Sequence, residues 1–197
     1  MRSTAVLRTA VIGLLTLLVT NLEPTTGASR GLAAEGPLWQ VYFSPKGGCT
    51  EAAVKALAAS KTTVYVQAFS FTSGPIARAL TDAAKRGVKV EVILDKSQRS
   101  ERYSSADFLA RAGIPVGIDA AHASAHNKVM VIDGATVITG SFNFTRAAED
   151  LNAENLLVIR DEHLAGRYTE NWRAHSGHSV TYVAGEATPS GRRRGAH

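Results

Sequence analysis

His126, Lys128, Ser141 and Asn143 place an imidazole, an ammonium, a hydroxyl and a carboxamide on two consecutive short elements. These are the groups needed to attack a phosphodiester and hold its charged oxygens without a metal. The imidazole can bond to phosphorus or carry a proton, and the ammonium and amide can donate to phosphoryl oxygens. Asp133 stands between the two pairs, and Gly140 precedes Ser141.

The elements that must position these groups follow from strand geometry. Lys128 to Ile132 is apolar and partly β-branched, so it predicts a buried strand. Side chains alternate along a strand, so His126 and Lys128 point the same way. Asp133-Gly134 is a two-residue hairpin signal. Ala135 to Thr139 then returns as a second strand and delivers Ser141 and Asn143 to the end where His126 sits. Asp133 has two readings, as the residue that an Asp-Gly turn requires or as a member of the chemical group.

The stretch His126, Lys128, Asp133, Gly140, Ser141, Asn143 resembles the HxK(x4)D(x6)GSxN motif of the phospholipase D superfamily, whose members hydrolyse or transfer phosphodiesters. Phe144 to Glu149, Asn152 to Asn155, Phe43-Ser44-Pro45 and Ala68 to Thr72 are similar to its short bacterial endonucleases. The resemblance runs from Trp39 to Trp172. It implies that His126 is the nucleophile and forms a phosphohistidine, that Lys128 and Asn143 bind the non-bridging oxygens with Ser141 in support, and that Glu154 orients the imidazole. For Glu154 the plain alternative is a solvated acid at a strand end. The role implied for Asp133 is more structural than chemical. No metal or other cofactor is implied. A chain carrying the motif once lacks the second histidine needed as general acid, which implies a twofold homodimer with two copies of His126 facing each other.

The substrate expected from this resemblance is DNA, with RNA second, cut with little sequence preference. A phospholipid headgroup and a non-catalytic nucleic-acid-binding module are the alternatives. Bulk charge does not decide. The whole chain carries +5, but residues 36–185 hold 16 basic and 14 acidic residues, or +2. Nucleic acid would need a local basic groove, with Lys128, Arg146, Arg99 and Arg102 as contributors. Phe142 and Phe144 read as packing behind the hairpin rather than as base-stacking groups.

The 197 residues suit one domain. Residues 1–34 are set apart: Arg2 and Arg8 precede an apolar run from Ala10 to Val19, followed by small residues, as in a secretory signal peptide. The run falls short of the roughly 20 apolar residues of a membrane span. Cleavage after Ala28 or near Ala33 and Ala34 would make the protein periplasmic or secreted. The catalytic domain is expected over 36–182. From Val183 a disordered basic tail follows, in which Arg192, Arg193 and Arg194 read as a solubilising terminus. Cys49 stands alone, which excludes an internal disulfide and a cysteine zinc site.

Strands are expected at Gln40–Phe43, Thr63–Phe69, Val88–Leu94, Pro115–Ile118 and Glu154–Ile159, besides the hairpin. Helices are expected from Thr50 as cap to Ala59, after Ser73 to Gly87, over Asp107–Ala112, and from Asp161 to His175, with a helical turn at Ala147 and Ala148. Strands alternating with helices predict an α/β sandwich with a mixed, largely parallel central sheet flanked by helices. His122 reads as a loop residue, and His163, His175 and His178 as solvated groups on the last helix and its exit.

Overall fold

The computed structural model describes residues 38–185. The expected signal peptide and the Arg192–Arg194 run lie outside the described residues. Eight strands form one sheet: β1 Trp39–Ser44, β2 Thr63–Ala68, β3 Lys89–Asp95, β4 Val116–Asp119, β5 Lys128–Ile132, β6 Thr136–Gly140, β7 Glu154–Arg160 and β8 Val180–Thr181. Their spatial order is β1-β7-β6-β5-β2-β3-β4-β8. Among the described residues five α-helices and a 3₁₀ turn at Lys96–Arg99 accompany them: α1 Cys49–Ala59, α2 Gly74–Lys85, α3 Ala106–Arg111, α4 Arg146–Asp150 and α5 Glu162–Ser176.

The sheet is mixed, as expected, but it is not largely parallel. Only β2–β3 and β3–β4 run parallel; the other five pairings are antiparallel. The reason is connection length. A parallel pair needs a crossover, and only α2 and α3 supply one between neighbouring strands. The Asp133-Gly134 turn leaves β6 no choice but to fold back on β5.

β5 is buried throughout because both of its faces are covered. Met130 and Ile132 join the main core with Val64, Val66, Leu57, Ile76 and Leu80 beneath α1 and α2. Val129 and Val131 face the other way, against Ala165, Leu164 and Tyr168 of α5. Trp172 closes that second layer, stacking on Tyr65 at 4.6 Å and donating its indole N–H to Val66 O at 2.9 Å. Phe142 and Phe144 are both buried, and Phe144 meets Phe71 edge to face. The hairpin exit therefore plugs the core.

Thr50 does not cap α1. Gly48 takes that position, and Glu149 reaches from α4 to accept the amides of Gly48 at 3.1 Å and Thr50 at 2.6 Å. A distant carboxylate thus does what an adjacent hydroxyl was expected to do. Cys49 is fully buried behind this contact, and burial pushes its thiol up to about 11, so it behaves as a small apolar residue. Beyond α5 the chain stays ordered further than Val183. β8 pairs with β4, Tyr182 donates its hydroxyl to Asp107 at 2.7 Å, and the Gly185 amide donates to the same carboxylate.

Candidate active site

His126, Lys128, Gly140, Ser141, Asn143 and Glu154 line one open depression of about 420 Å³. Three elements meet there: the entry to β5, the exit from β6 and the first residue of β7. The pairing of β6 with β7 sets the alignment, since Gly140 is registered against Leu156.

His126 is exposed, while Lys128 is buried at 6%. The Lys128 ammonium lies 3.0 Å from His126 Nδ1 and donates to His126 O at 2.7 Å. An ammonium has no lone pair, so Nδ1 is the acceptor and the ring proton belongs on Nε2. Phe69 supports both groups. Its ring lies 4.4 Å from the imidazole and 5.0 Å from the ammonium, and its amide donates to Asn127 O. Burial lowers the affinity of Lys128 for its proton, and the charge of Glu154 partly offsets that.

Glu154 borders the depression, but its observed contact differs from the expected one. Its carboxylate accepts from the Asn152 side chain at 3.1 Å, while His126 Nδ1 faces Lys128 instead. Lys128 is two residues from His126 on the same face of the chain, and so reaches the ring first. Ser141 accepts from the Asn155 amide at 3.1 Å and from its side chain at 3.4 Å. Asn143 keeps a buried carboxamide oxygen without a protein partner, an orphan polar atom of the kind that collects at binding sites.

The glycine of this stretch has a steric reason. Gly140 has φ of 150°, and a Cβ there would run into the Asn155 carbonyl that receives the Phe142 amide. Asn155 thus shapes both Gly140 and Ser141. It and Phe69 are positioning residues that residue-by-residue reading did not single out. Both lie in segments that carried the family resemblance, which was the available signal.

Asp133 is not part of this group. It occupies the opposite end of β5, about 17 Å away for five residues of strand. It holds φ of 55° in the turn with Gly134 at 63°. Its carboxylate accepts the amides of Lys61, Thr62 and Thr63 and the Thr62 hydroxyl. Burial opposes its ionisation, but those donors outweigh it and hold the carboxyl below the usual range. Asp133→Ala is expected to cost about 2–3 kcal/mol, read as a Tm lower by roughly 5–10 °C, without lowering turnover per folded molecule. The folded-state pKa is depressed, so this contribution is present above the unfolded aspartate value and fades as pH falls through the folded one. Melting curves of wild type and variant should converge in acid; a constant gap would show that the charge is irrelevant.

The basic residues named for a groove are partly committed elsewhere. Arg146 pairs with Asp150 at 2.9 Å, and Arg102 lies over Tyr103. His122, His175 and His178 are not independent solvated groups, since all three converge on Asp119.

The sheet order and the His126 depression define a phospholipase D-like domain. Residues 53–175 match the family described as cardiolipin synthase, PLD-like domain, and the chain belongs to that family. It is 45% identical over 130 residues to a phospholipase D of Rickettsia typhi, an alignment covering 66% of this chain and 64% of that protein's length. It is 32% identical over 116 residues to a mitochondrial cardiolipin hydrolase of Chlamydomonas reinhardtii, covering 59% of this chain and 52% of the other. Among solved structures, Nuc from Salmonella typhimurium, a phospholipase D family member, superposes with a TM-score of 0.71 at 37% identity, covering 73% of this chain and 97% of Nuc.

Proposed function

We propose that the protein is an exported phosphodiester hydrolase, acting as an endonuclease on DNA and secondarily on RNA, in a homodimeric site built around two copies of His126. The observation that carries the reading is the gathering of His126, Lys128, Ser141, Asn143 and Glu154 around one open depression. An exposed imidazole at the mouth of a shallow site suits a phosphate in a long polymer, reached from the side.

The chemistry divides between two imidazoles. The attacking ring needs a bare Nε2, so it reacts as the tautomer with the proton on Nδ1, turned from Lys128 toward Glu154, whose carboxylate lines the same depression and accepts that N–H. Nε2 bonds to phosphorus and the P–O bond to the leaving group breaks. The twin ring, with Nδ1 turned to Lys128 and a proton on Nε2, protonates the departing oxygen. Water then attacks the phosphohistidine, giving its proton to the twin. Lys128 and the Asn143 amide hold the phosphoryl oxygens, and Ser141 supports them. A permanent cation and a directed amide donor do the electrostatic work a metal would otherwise do.

The pairing of two chains is supported by β1. Trp39, Val41 and Phe43 alternate along this edge strand and stay exposed. Phe43 is registered against Asn155, and Ser44 against Glu154, so the apolar stripe ends beside the site. A second copy seated there would cover it and bring the two depressions together.

The names of the Rickettsia and Chlamydomonas relatives favour a second reading, a lipid phosphodiesterase. One assay separates the two: purified mature protein with supercoiled plasmid, and in parallel with vesicles of phosphatidylcholine and cardiolipin, each in EDTA. Plasmid nicking that persists in chelator without headgroup release is expected. Lipid hydrolysis without nicking would replace the nuclease reading. Nicking that disappears in EDTA at 25 °C and returns with a divalent ion would overturn the two-imidazole mechanism.

A further inference from the structure

We propose that Asp119, His122, His175 and His178 form a binding site for a divalent transition metal of the zinc class, which ties the β4–β5 loop to the end of α5. None of the four is among the side chains lining the His126 depression.

The pattern is present in the sequence as two pairs, Asp119-x2-His122 and His175-x2-His178. Two-residue spacers within a pair and a long gap between pairs are usual for structural metal sites, because each pair comes from one turn of chain and the fold brings the pairs together. Here Asp119 ends β4, His122 stands in the loop after it, His175 is in the last turn of α5, and His178 lies just beyond.

The geometry is convergent. One potential ligand atom from each residue lies within 4.8 Å of all the others. Asp119 Oδ2 is 2.7 Å from His175 Nδ1, 3.1 Å from His122 Nδ1 and 3.2 Å from His178 Nε2. The three rings form a near-equilateral triangle, with centroids 4.9, 5.2 and 5.3 Å apart. Four donors about 2.0–2.1 Å from a tetrahedral ion are roughly 3.3 Å from one another, so small side-chain rotations would admit the ion.

The carboxylate at the centre of this cluster is saturated. Asp119 is fully buried, and its carboxylate also receives the Ala121 amide at 3.1 Å. His122 Nδ1 is equidistant from both oxygens at 3.1 Å, so that amide and the three rings take all four lone-pair sites of the carboxylate, and three imidazoles are gathered on one anion. Protonating all three rings would crowd three positive charges around one negative charge. A dication bound by three neutral imidazoles and the carboxylate avoids that crowding, since every nitrogen then gives a lone pair rather than a proton. The donor set selects the ion: imidazoles with one carboxylate suit zinc, while magnesium and calcium prefer all-oxygen shells. Four protein donors leave no open position, which marks a structural site. His122 and His178 are partly exposed, at 45% and 37% of their side chains, and provide the entry path.

The consequence for the fold is local. The β4–β5 loop leads into His126. It is already held by Lys96, which donates to His122 O at 2.8 Å, and by Asp95, which accepts from the Ala125 amide at 2.7 Å. The metal adds a third anchor, reaching to the end of α5.

The test uses the untagged chain, stripped with chelator and titrated with Co2+ and then Zn2+. One equivalent of Co2+ per chain with the intense visible bands of a tetrahedral ion is expected, followed by displacement by Zn2+. At a hundredfold excess of Zn2+ over Kd, the Tm should rise by roughly 5–10 °C. His178→Ala and His122→Ala change partly exposed residues; both should lose the stoichiometric step and the Zn2+-dependent rise while melting like the stripped wild type. His126→Ala should bind metal fully. Weak octahedral Co2+ bands, substoichiometric uptake, or unchanged binding in His178→Ala would each overturn the site.

Discussion

Replacing His126 by alanine is expected to lower phosphodiester cleavage by at least about 10⁴-fold, because in a twofold site one substitution removes both the nucleophile and the general acid. Stability should barely change, since the ring is exposed and its contacts are confined to Phe69 and Lys128. The mixing experiment is more discriminating. If a site needs an imidazole from each chain, a dimer of one wild-type and one His126→Ala chain is inactive. Activity after co-refolding the two should then fall with the square of the wild-type fraction. A linear decline would show that each chain works alone, and the second proton donor would have to be sought within one protomer.

The second large effect concerns the β1 edge. Trp39 and Phe43 are 61% and 64% exposed; the register of β1 with β7 sets Phe43 against Asn155, next to Glu154, and Trp39 against Ile159 at the far end of the stripe. Large apolar side chains on an edge strand are a liability unless something covers them. Trp39→Glu with Phe43→Glu would bury two carboxylates on each side of the proposed interface. About 4 kcal/mol is a moderate cost for unpaired buried charges, and that weakens association nearly a thousandfold. The variant is expected to sediment as a folded monomer and to lose cleavage, with the spectrum and Tm of its domain retained. A monomer that cleaves at the wild-type rate would remove the twofold mechanism, and a variant that stays dimeric would move the interface elsewhere.

The His126 site was legible because its parts are local. A hairpin with a two-residue turn leaves little freedom, so strand alternation alone brings His126 and Lys128 to the end where Ser141 and Asn143 emerge. Phe142 and Phe144 were likewise readable as packing groups, and both are buried. Asp133 shows the limit of the same logic. Reading it as the turn residue placed it at the far end of the strand, but not its partners, three amides of Lys61, Thr62 and Thr63 about seventy residues earlier.

The contacts that escaped the sequence all join residues far apart in the chain. Glu149 caps α1 from about a hundred residues away, and the two histidines of α5 and its exit meet an aspartate more than fifty residues earlier. Each partner looks ordinary in its own neighbourhood. The sheet direction was misjudged for a related reason: alternation of strands and helices reports element type, but parallel or antiparallel pairing depends on which strand becomes the neighbour.

Taken alone, the sequence determined where the strands and helices other than β8 fall, and that His126, Lys128, Ser141 and Asn143 share one end of a hairpin. These follow from side-chain period and turn geometry, which act over a few residues. Tertiary structure alone decided which amides Asp133 binds, that Lys128 rather than Glu154 meets the imidazole, and that Asp119 gathers three histidines. Those outcomes depend on strand order and on how α5 packs across the sheet, and no local pattern in a chain encodes the distance between residues that only folding brings together.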